Sequence, residues 1–284
     1  SPLALLGNFA MHYFSGHAGI SADYFGKYCR ELTERSGAKN NPYVVALSQG
    51  TSGDVWRADY RKTRGESQIS MKDYVAGLAD LTEQALAGIE YHDELPLRMD
   101  EVRMAIKRRV PDSKRLEWAR AVVGKMPGGK PRNRPEVYAK QAIHLHENPE
   151  AEVVLQAIRA GDFCITAMPN EVYALTGLKL KALSPLATTM NIELANGAEG
   201  YIPPAEQHFL GGYTTWPSVT AGLEVAAEGK ITATLLGMLE RLSEKKRKTY
   251  MEPRGGFARA IERLRPLKSW SLGDLEPGEE FEPG

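Results

Sequence analysis

The stretch Leu3-Ala4-Leu5-Leu6-Gly7-Asn8-Phe9-Ala10-Met11-His12 is a short apolar run, strand-like in length, that ends on a histidine. A helix is predicted over residues 21–35, with Ser21 as N-cap and Tyr24, Phe25, Tyr28 and Leu32 on one face at spacings of three and four. Residues 43–48 follow as a second run of mostly β-formers, bounded by Asn41-Pro42 and by Gly50-Thr51-Ser52-Gly53. Strand, helix and strand in that order point to an α/β protein.

The rest of the chain continues the alternation. Residues 71–90 carry a helical pattern through Tyr74, Leu78, Leu81, Leu86 and Ile89. Residues 102–110 alternate as a half-buried strand, with Val102, Met104, Ile106 and Val110 on one side. A helix is expected at 113–125, then a Gly/Pro loop at 127–131, then two helical segments across 135–160 broken near Asn148-Pro149. A short strand is predicted at 163–166 and a helix at 171–183 capped by Asn170. Next come a strand at 188–194 with Met190, Ile192 and Leu194 inward, a loop-rich stretch at 195–217, and a closing helix at 231–246. The expected architecture is a single large domain with a central mixed β-sheet flanked by helices.

Composition narrows the function classes. The 284 residues hold 36 Lys+Arg and 36 Asp+Glu, so the chain lacks the basic footprint of a general nucleic-acid binder. No apolar window is long enough to span a membrane. Cys29 and Cys164 cannot build a disulfide framework or a C-x-x-C site, although one bridge between them stays open. The sequence starts Ser1-Pro2 without Met or a charged leader, which suggests a cut inside a longer protein. Residues 269–284 are rich in acidic residues, Pro and Gly and read as a linker or tail after a domain spanning 1–268.

Taken singly, the polar residues name no chemistry. His12 ends an apolar strand, where a site residue would project into the crevice at a sheet edge, but taken alone a satisfied structural histidine is the favoured reading. His144 and His146 have H-x-H spacing inside a probable helix, where residues two apart point away from each other, so solvated surface is expected. His17 and His208 are in loops. The loop Gly50-Thr51-Ser52-Gly53-Asp54 lacks the G-K-[ST] end of a P-loop, and Ser52 is not in a G-x-S-x-G elbow.

Several segments together resemble the neutral/alkaline (non-lysosomal) ceramidases. Asn8-Phe9-Ala10-Met11-His12 with Ser15-Gly16 is similar to the family's N/W-F-A-x-H segment, and Ile20 to Gly26 to its I-S-x-D-x-x-G helix start. Ser48 to Val55 resembles the element ending in G-D-V, Met168 to Tyr173 the P-G-E-F segment, and Asn196 to Pro203 the N-x-x-x-x-Y-V segment. Tyr213 stands where the family has a second tyrosine. The resemblance covers roughly residues 6–60 and 165–240.

What it implies is a zinc-dependent amidohydrolase acting on an N-acyl-sphingoid or related small-molecule or lipid amide, secreted or periplasmic, with no nucleic-acid partner. In the family two His, one Glu and one Tyr hold the metal. His12, Glu171 and Tyr201 match the second His, the Glu and the Tyr, and the first His belongs to a T-H-T-H-S-G-P-like segment upstream of Ser1. Such residues suit Zn²⁺, and a catalytic site keeps a position open for water. Tyr213 is then expected to stabilise the oxyanion, with Asp54 and Ser52 as supporting residues. One position departs from the pattern: Trp56 follows Gly53-Asp54-Val55 where the family has a Ser with a catalytic role, and Arg57-Ala58 replaces Pro-Asn. An indole cannot replace a hydroxyl. Either zinc–water chemistry proceeds without that Ser on another amide, or the chain is a catalytically degenerate binding domain.

Overall fold

The computed structural model describes residues 3–14, 19–37, 43–58 and 69–249. The apolar run before His12 forms strand β1 (Ala4–Phe9), which pairs with β2 (Val44–Gln49). The pair is parallel, from Ala4↔Val44 to Phe9↔Gln49, and parallel strands need a crossover; helix α1 (Asp23–Arg35) lies within it. Tyr24, Tyr28 and Leu32 are buried on the face that the spacing predicts. They meet Val75 and Ala79 of α2 (Met71–Leu86), together with Met11 and Phe14. Ala22 is the residue at the α1 N-cap, and Ser21 Oγ accepts from the Asp23 N–H at 3.0 Å.

The chain continues through β3 (Leu97–Lys107), α3 (Ser113–Gly124), α4 (Arg134–Glu147), β4 (Glu150–Ala160) and β5 (Phe163–Ala167). It then forms β6 (Glu171–Val172), α5 (Ala174–Leu183), β7 (Thr188–Ile192), β8 (Tyr201–Ile202) and α6 (Ala227–Ser243). The largest sheet has the order β3-β4-β5-β7, antiparallel at its first two pairings and parallel between β5 and β7. This is a mixed sheet in an α/β domain, as expected from the sequence. Ile231, Leu235, Met238, Leu239 and Leu242 of α6 pack with Ile106, Val153, Leu155 and Ala157 to form the main core. Asn8 Nδ2 donates to the Asn191 carbonyl and Glu193 N–H to the Gln49 carbonyl, both at 3.0 Å, so β7 is tied to the β1–β2 pair.

Three expectations are corrected. Residues 150–160 are a strand, not a helix: Ala151, Val153, Leu155 and Ala157 are buried at a period of two beneath α6. Glu, Ala, Leu and Gln favour helices locally, but burial against a sheet overrides propensity. The helix predicted from residue 171 begins at Ala174, and Glu171–Val172 pair with Tyr201–Ile202 as a short parallel ladder. Asn170 does not cap that helix; it is fully buried and its Nδ2 donates to the Gly200 carbonyl at 3.3 Å. The inward face of β7 is Thr189 and Asn191, continued by Glu193, rather than Met190, Ile192 and Leu194. These polar groups are satisfied: Thr166 Oγ1 donates to Asn191 Oδ1 at 2.8 Å and Asn191 Nδ2 to the Gly177 carbonyl at 3.0 Å.

Boundaries move elsewhere. β3 starts at Leu97 and ends at Lys107, leaving Val110 exposed. α2 stops short of residue 90, and α6 runs earlier than expected and ends at Ser243. Leu145 is buried in α4 between exposed His144 and His146. Cys29 and Cys164 are both free thiols. The expected tail at 269–284, and His17, lie outside the described residues. No helix among the described residues is long and apolar enough to cross a membrane.

Candidate metal centre

Met11 is locked at the end of β1, its carbonyl accepting from Tyr24 Oη at 3.0 Å and from Gln49 Nε2 at 2.9 Å. The next residue, His12, is fixed from the other side. Its backbone N–H donates to the Val55 carbonyl at 3.3 Å, and ring Nδ1 meets the same oxygen at 3.1 Å. A carbonyl can only accept, so Nδ1 carries the proton and Nε2 presents its lone pair.

Two segments bring their side chains to that lone pair. Glu171 and Tyr201 are register partners across β6 and β8, which directs both side chains to one side of the ladder. His12 Nε2 is 3.6 Å from Glu171 Oε2 and 3.4 Å from Tyr201 Oη. Tyr201 Oη is in turn 3.1 Å from Tyr213 Oη, supplied by a single turn of 3₁₀ helix, Tyr213–Thr215. Tyr201 is buried, whereas Tyr213 is 57% exposed. Gly200 makes the approach of β8 workable. At φ +71° it adopts the left-handed region, and a Cβ there would strike the Thr220 backbone, to whose carbonyl Tyr201 N–H donates at 2.7 Å.

The donor set fits a small divalent cation. Ligands about 2.0–2.1 Å from a tetrahedral centre are separated from one another by about 3.3–3.4 Å. The His12–Glu171 and His12–Tyr201 spacings are close to that edge length, and the imidazole has its second nitrogen held by a carbonyl, as metal-bound histidines do. Burial, then the Tyr213 hydroxyl and Glu171, push the Tyr201 phenol well above its ordinary value, so it is protonated without a cation. A divalent charge between these groups reverses that balance. Among the described residues no three His, Cys, Asp or Glu converge, so the tyrosine is essential to any such centre.

No protein-family model matches the sequence, and no curated protein matches it. Among solved structures the chain is similar to the neutral ceramidase from Pseudomonas aeruginosa, with TM-score 0.56 and 15% identity over 90% of this chain. It is also similar to a ceramidase complexed with C2, with TM-score 0.55 and 15% identity over 88% of this chain. The fold is ceramidase-like. The chain spans 47% of the length of each of these two structures.

Within this ceramidase-like fold the other candidate residues take supporting places. Asp54 Oδ1 accepts from the Ala174 N–H at 2.7 Å, so its carboxylate caps the start of α5. Ser52 is buried and its Oγ donates to Glu193 Oε1 at 2.6 Å. Neither side chain hydrogen-bonds to His12, Glu171 or Tyr201. Trp56 lies edge-on to the His12 ring, with centroids 5.8 Å apart.

Glu193 was not singled out by sequence, and it ties the segments together. It is 3% exposed and accepts from Ser52 Oγ and from the Val172 N–H, each at 2.6 Å, while Gln49 Nε2 donates to both Ser52 and Glu193. Burial raises its carboxyl to about 7, against the opposing pull of those donors. The available signal was a charged residue continuing the polar phase of Thr189 and Asn191.

Proposed function

We propose that the chain is a ceramidase-like hydrolase domain in which His12, Glu171 and Tyr201 hold a zinc ion and an amide is the substrate. The observation that carries this reading is the pairing of Glu171 with Tyr201 in register, beside a histidine whose Nε2 lone pair faces both. Three donors from this chain leave coordination positions open for water. Zinc bound there would supply Lewis acidity and a water whose pKa is lowered towards about 7.

The remaining chemistry belongs to the chain. His12 is held in one tautomer by the Val55 carbonyl, and Glu171 is held by its ladder to Tyr201. Tyr213 Oη, 3.1 Å from Tyr201 Oη on an exposed side chain, would donate to an oxygen that gains negative charge during amide cleavage. Trp56 places an aromatic ring against His12, with centroids 5.8 Å apart.

The test is zinc content together with turnover. We expect zinc uptake close to one per chain, lost in His12→Ala and in Glu171→Ala, and N-acyl amide hydrolysis abolished by a chelator. Unchanged zinc in both variants overturns the reading. Trp56 favours a second outcome, in which zinc binds but no amide is turned over; the domain would then be a degenerate ligand-binding relative.

A further inference from the structure

The residue that follows Trp56 is an arginine with an unusual setting. The Arg57 guanidinium carbon lies 4.6 Å from the Trp56 ring centroid and 4.7 Å from that of Phe14, so the cation is clamped between two aromatic rings. One guanidinium nitrogen, Nη1, donates to the Phe14 carbonyl at 2.9 Å. Among the described residues no Asp or Glu pairs with it, and its remaining donors have no acceptor there. Among the described residues the carboxylates of this region are committed elsewhere: Asp23 to the Phe14 and Tyr24 N–H groups, Asp54 to the start of α5, Glu171 towards His12, and Glu193 to Ser52 and Val172. Trp56, which forms one side of the clamp, also touches the His12 ring. An oriented planar cation, without a carboxylate partner among the described residues, therefore stands one ring contact away from the candidate metal centre.

We propose that Arg57 is a specificity residue that receives a carboxylate on the substrate, making the preferred substrates N-acyl amides whose amine half bears a carboxylate within a few bonds of the scissile bond. The inference rests on His12, Glu171 and Tyr201 marking where the amide sits. Three features support it. The clamp fixes the guanidinium plane before binding, so little rotamer freedom is lost when its fork engages an acceptor. A planar fork whose remaining donors meet no acceptor among the described residues matches a carboxylate bidentately. And among the described residues no second Lys or Arg is bonded into the clamp, so the clamp presents one positive charge to a ligand.

The test compares two probes, N-octanoylglycine and its neutral counterpart N-octanoylglycinamide, by calorimetry on the metal-free full chain, with zinc uptake measured in parallel. The wild type should bind the carboxylate probe about ten- to a hundredfold more tightly, as expected of a hydrogen-bonded charge pair, and lose that preference as salt rises. Arg57→Met should bring the ratio to about one, and Arg57→Lys should keep part of it. A role confined to holding the loop would change thermal stability in Arg57→Met and leave the ratio intact. Equal affinities in the wild type, no measurable binding of the carboxylate probe, or an unchanged ratio in Arg57→Met each overturn the proposal. Zinc uptake without discrimination sinks this inference alone, and discrimination without zinc uptake sinks the metal reading alone.

Discussion

Glu193→Gln is the perturbation whose size the structure fixes best. The Glu193 carboxyl is raised from 4.5 to about 7 because burial disfavours its charged form more than Ser52, Val172 N–H and Gln49 favour it. A raised acid weakens the fold as pH rises: no penalty applies below the unfolded value of 4.5, and the full penalty applies above about 7. At 1.36 kcal/mol per pKa unit the total is about 3 kcal/mol, of which about 2–3 kcal/mol falls between pH 5 and pH 8.5. Glutamine keeps the shape and an acceptor for the Val172 N–H but has no proton to lose. Urea unfolding of the metal-free chain at pH 5 and pH 8.5 should therefore show the wild type losing more stability than the variant, a difference on the order of 1 M in midpoint. Any constant cost of the substitution cancels in the comparison between the two pH values. Parallel losses in the two proteins would refute the assignment of this charge to Glu193.

Two further outcomes follow from the same physics. His208 has its Nδ1 buried without a hydrogen-bond partner among the described residues, and burial, then Arg109, lower it to about 4, so stability is full above the ordinary value of 6.5 and is lost as pH falls towards 4. His208→Gln should flatten that acid limb in urea titrations between pH 7 and pH 4; an unaltered limb would count against it. Gly200→Ala must place a methyl group against the Thr220 backbone at φ +71°, which should cost on the order of 3 kcal/mol and reduce zinc uptake by displacing Tyr201. Wild-type stability and zinc uptake in that variant would contradict the packing described around β8.

How much was legible depended on whether one signal dominated. The strands at Ala4–Phe9 and Val44–Gln49 and the helices at Asp23–Arg35 and Ser113–Gly124 were readable because periodicity, turn residues and propensity agree there. Glu150–Ala160 was misread because its residues prefer helix individually, and its period of two is blurred by Val154 and Ile158 on the outer side. Apolarity does not mark the inside of β7, because there the inward face is polar and hydrogen-bonded. His12, Glu171, Tyr201 and Tyr213 stand out in the sequence through motif resemblance and carry no signal in periodicity. The structure brings these four together, but it leaves Ser52 and Asp54 in bonds to Glu193 and to α5.

The misread segment at 171 is also the one on which the site depends. Had residue 171 opened a helix, its side chain would rotate by about 100° from that of its neighbour, and nothing would tie it to Tyr201. As the first residue of a two-residue strand it is set by a backbone ladder: its own N–H donates to Gly200, and Val172 N–H donates to Glu193. Gly53 N–H donates to the Val172 carbonyl at 2.7 Å, and a Cβ at Gly53 would press on the Glu171 and Val172 backbone. The loop after β2 thus touches β6 directly, while Gln49 from that same strand holds the Met11 carbonyl next to His12. The His12–Glu171 distance is therefore set by one connected network of Gln49, Ser52, Gly53 and Glu193, and two long side chains need not find each other in solvent. Such a network holds the two side chains close before any ligand arrives, which is the condition for a site whose binding energy is not spent on ordering.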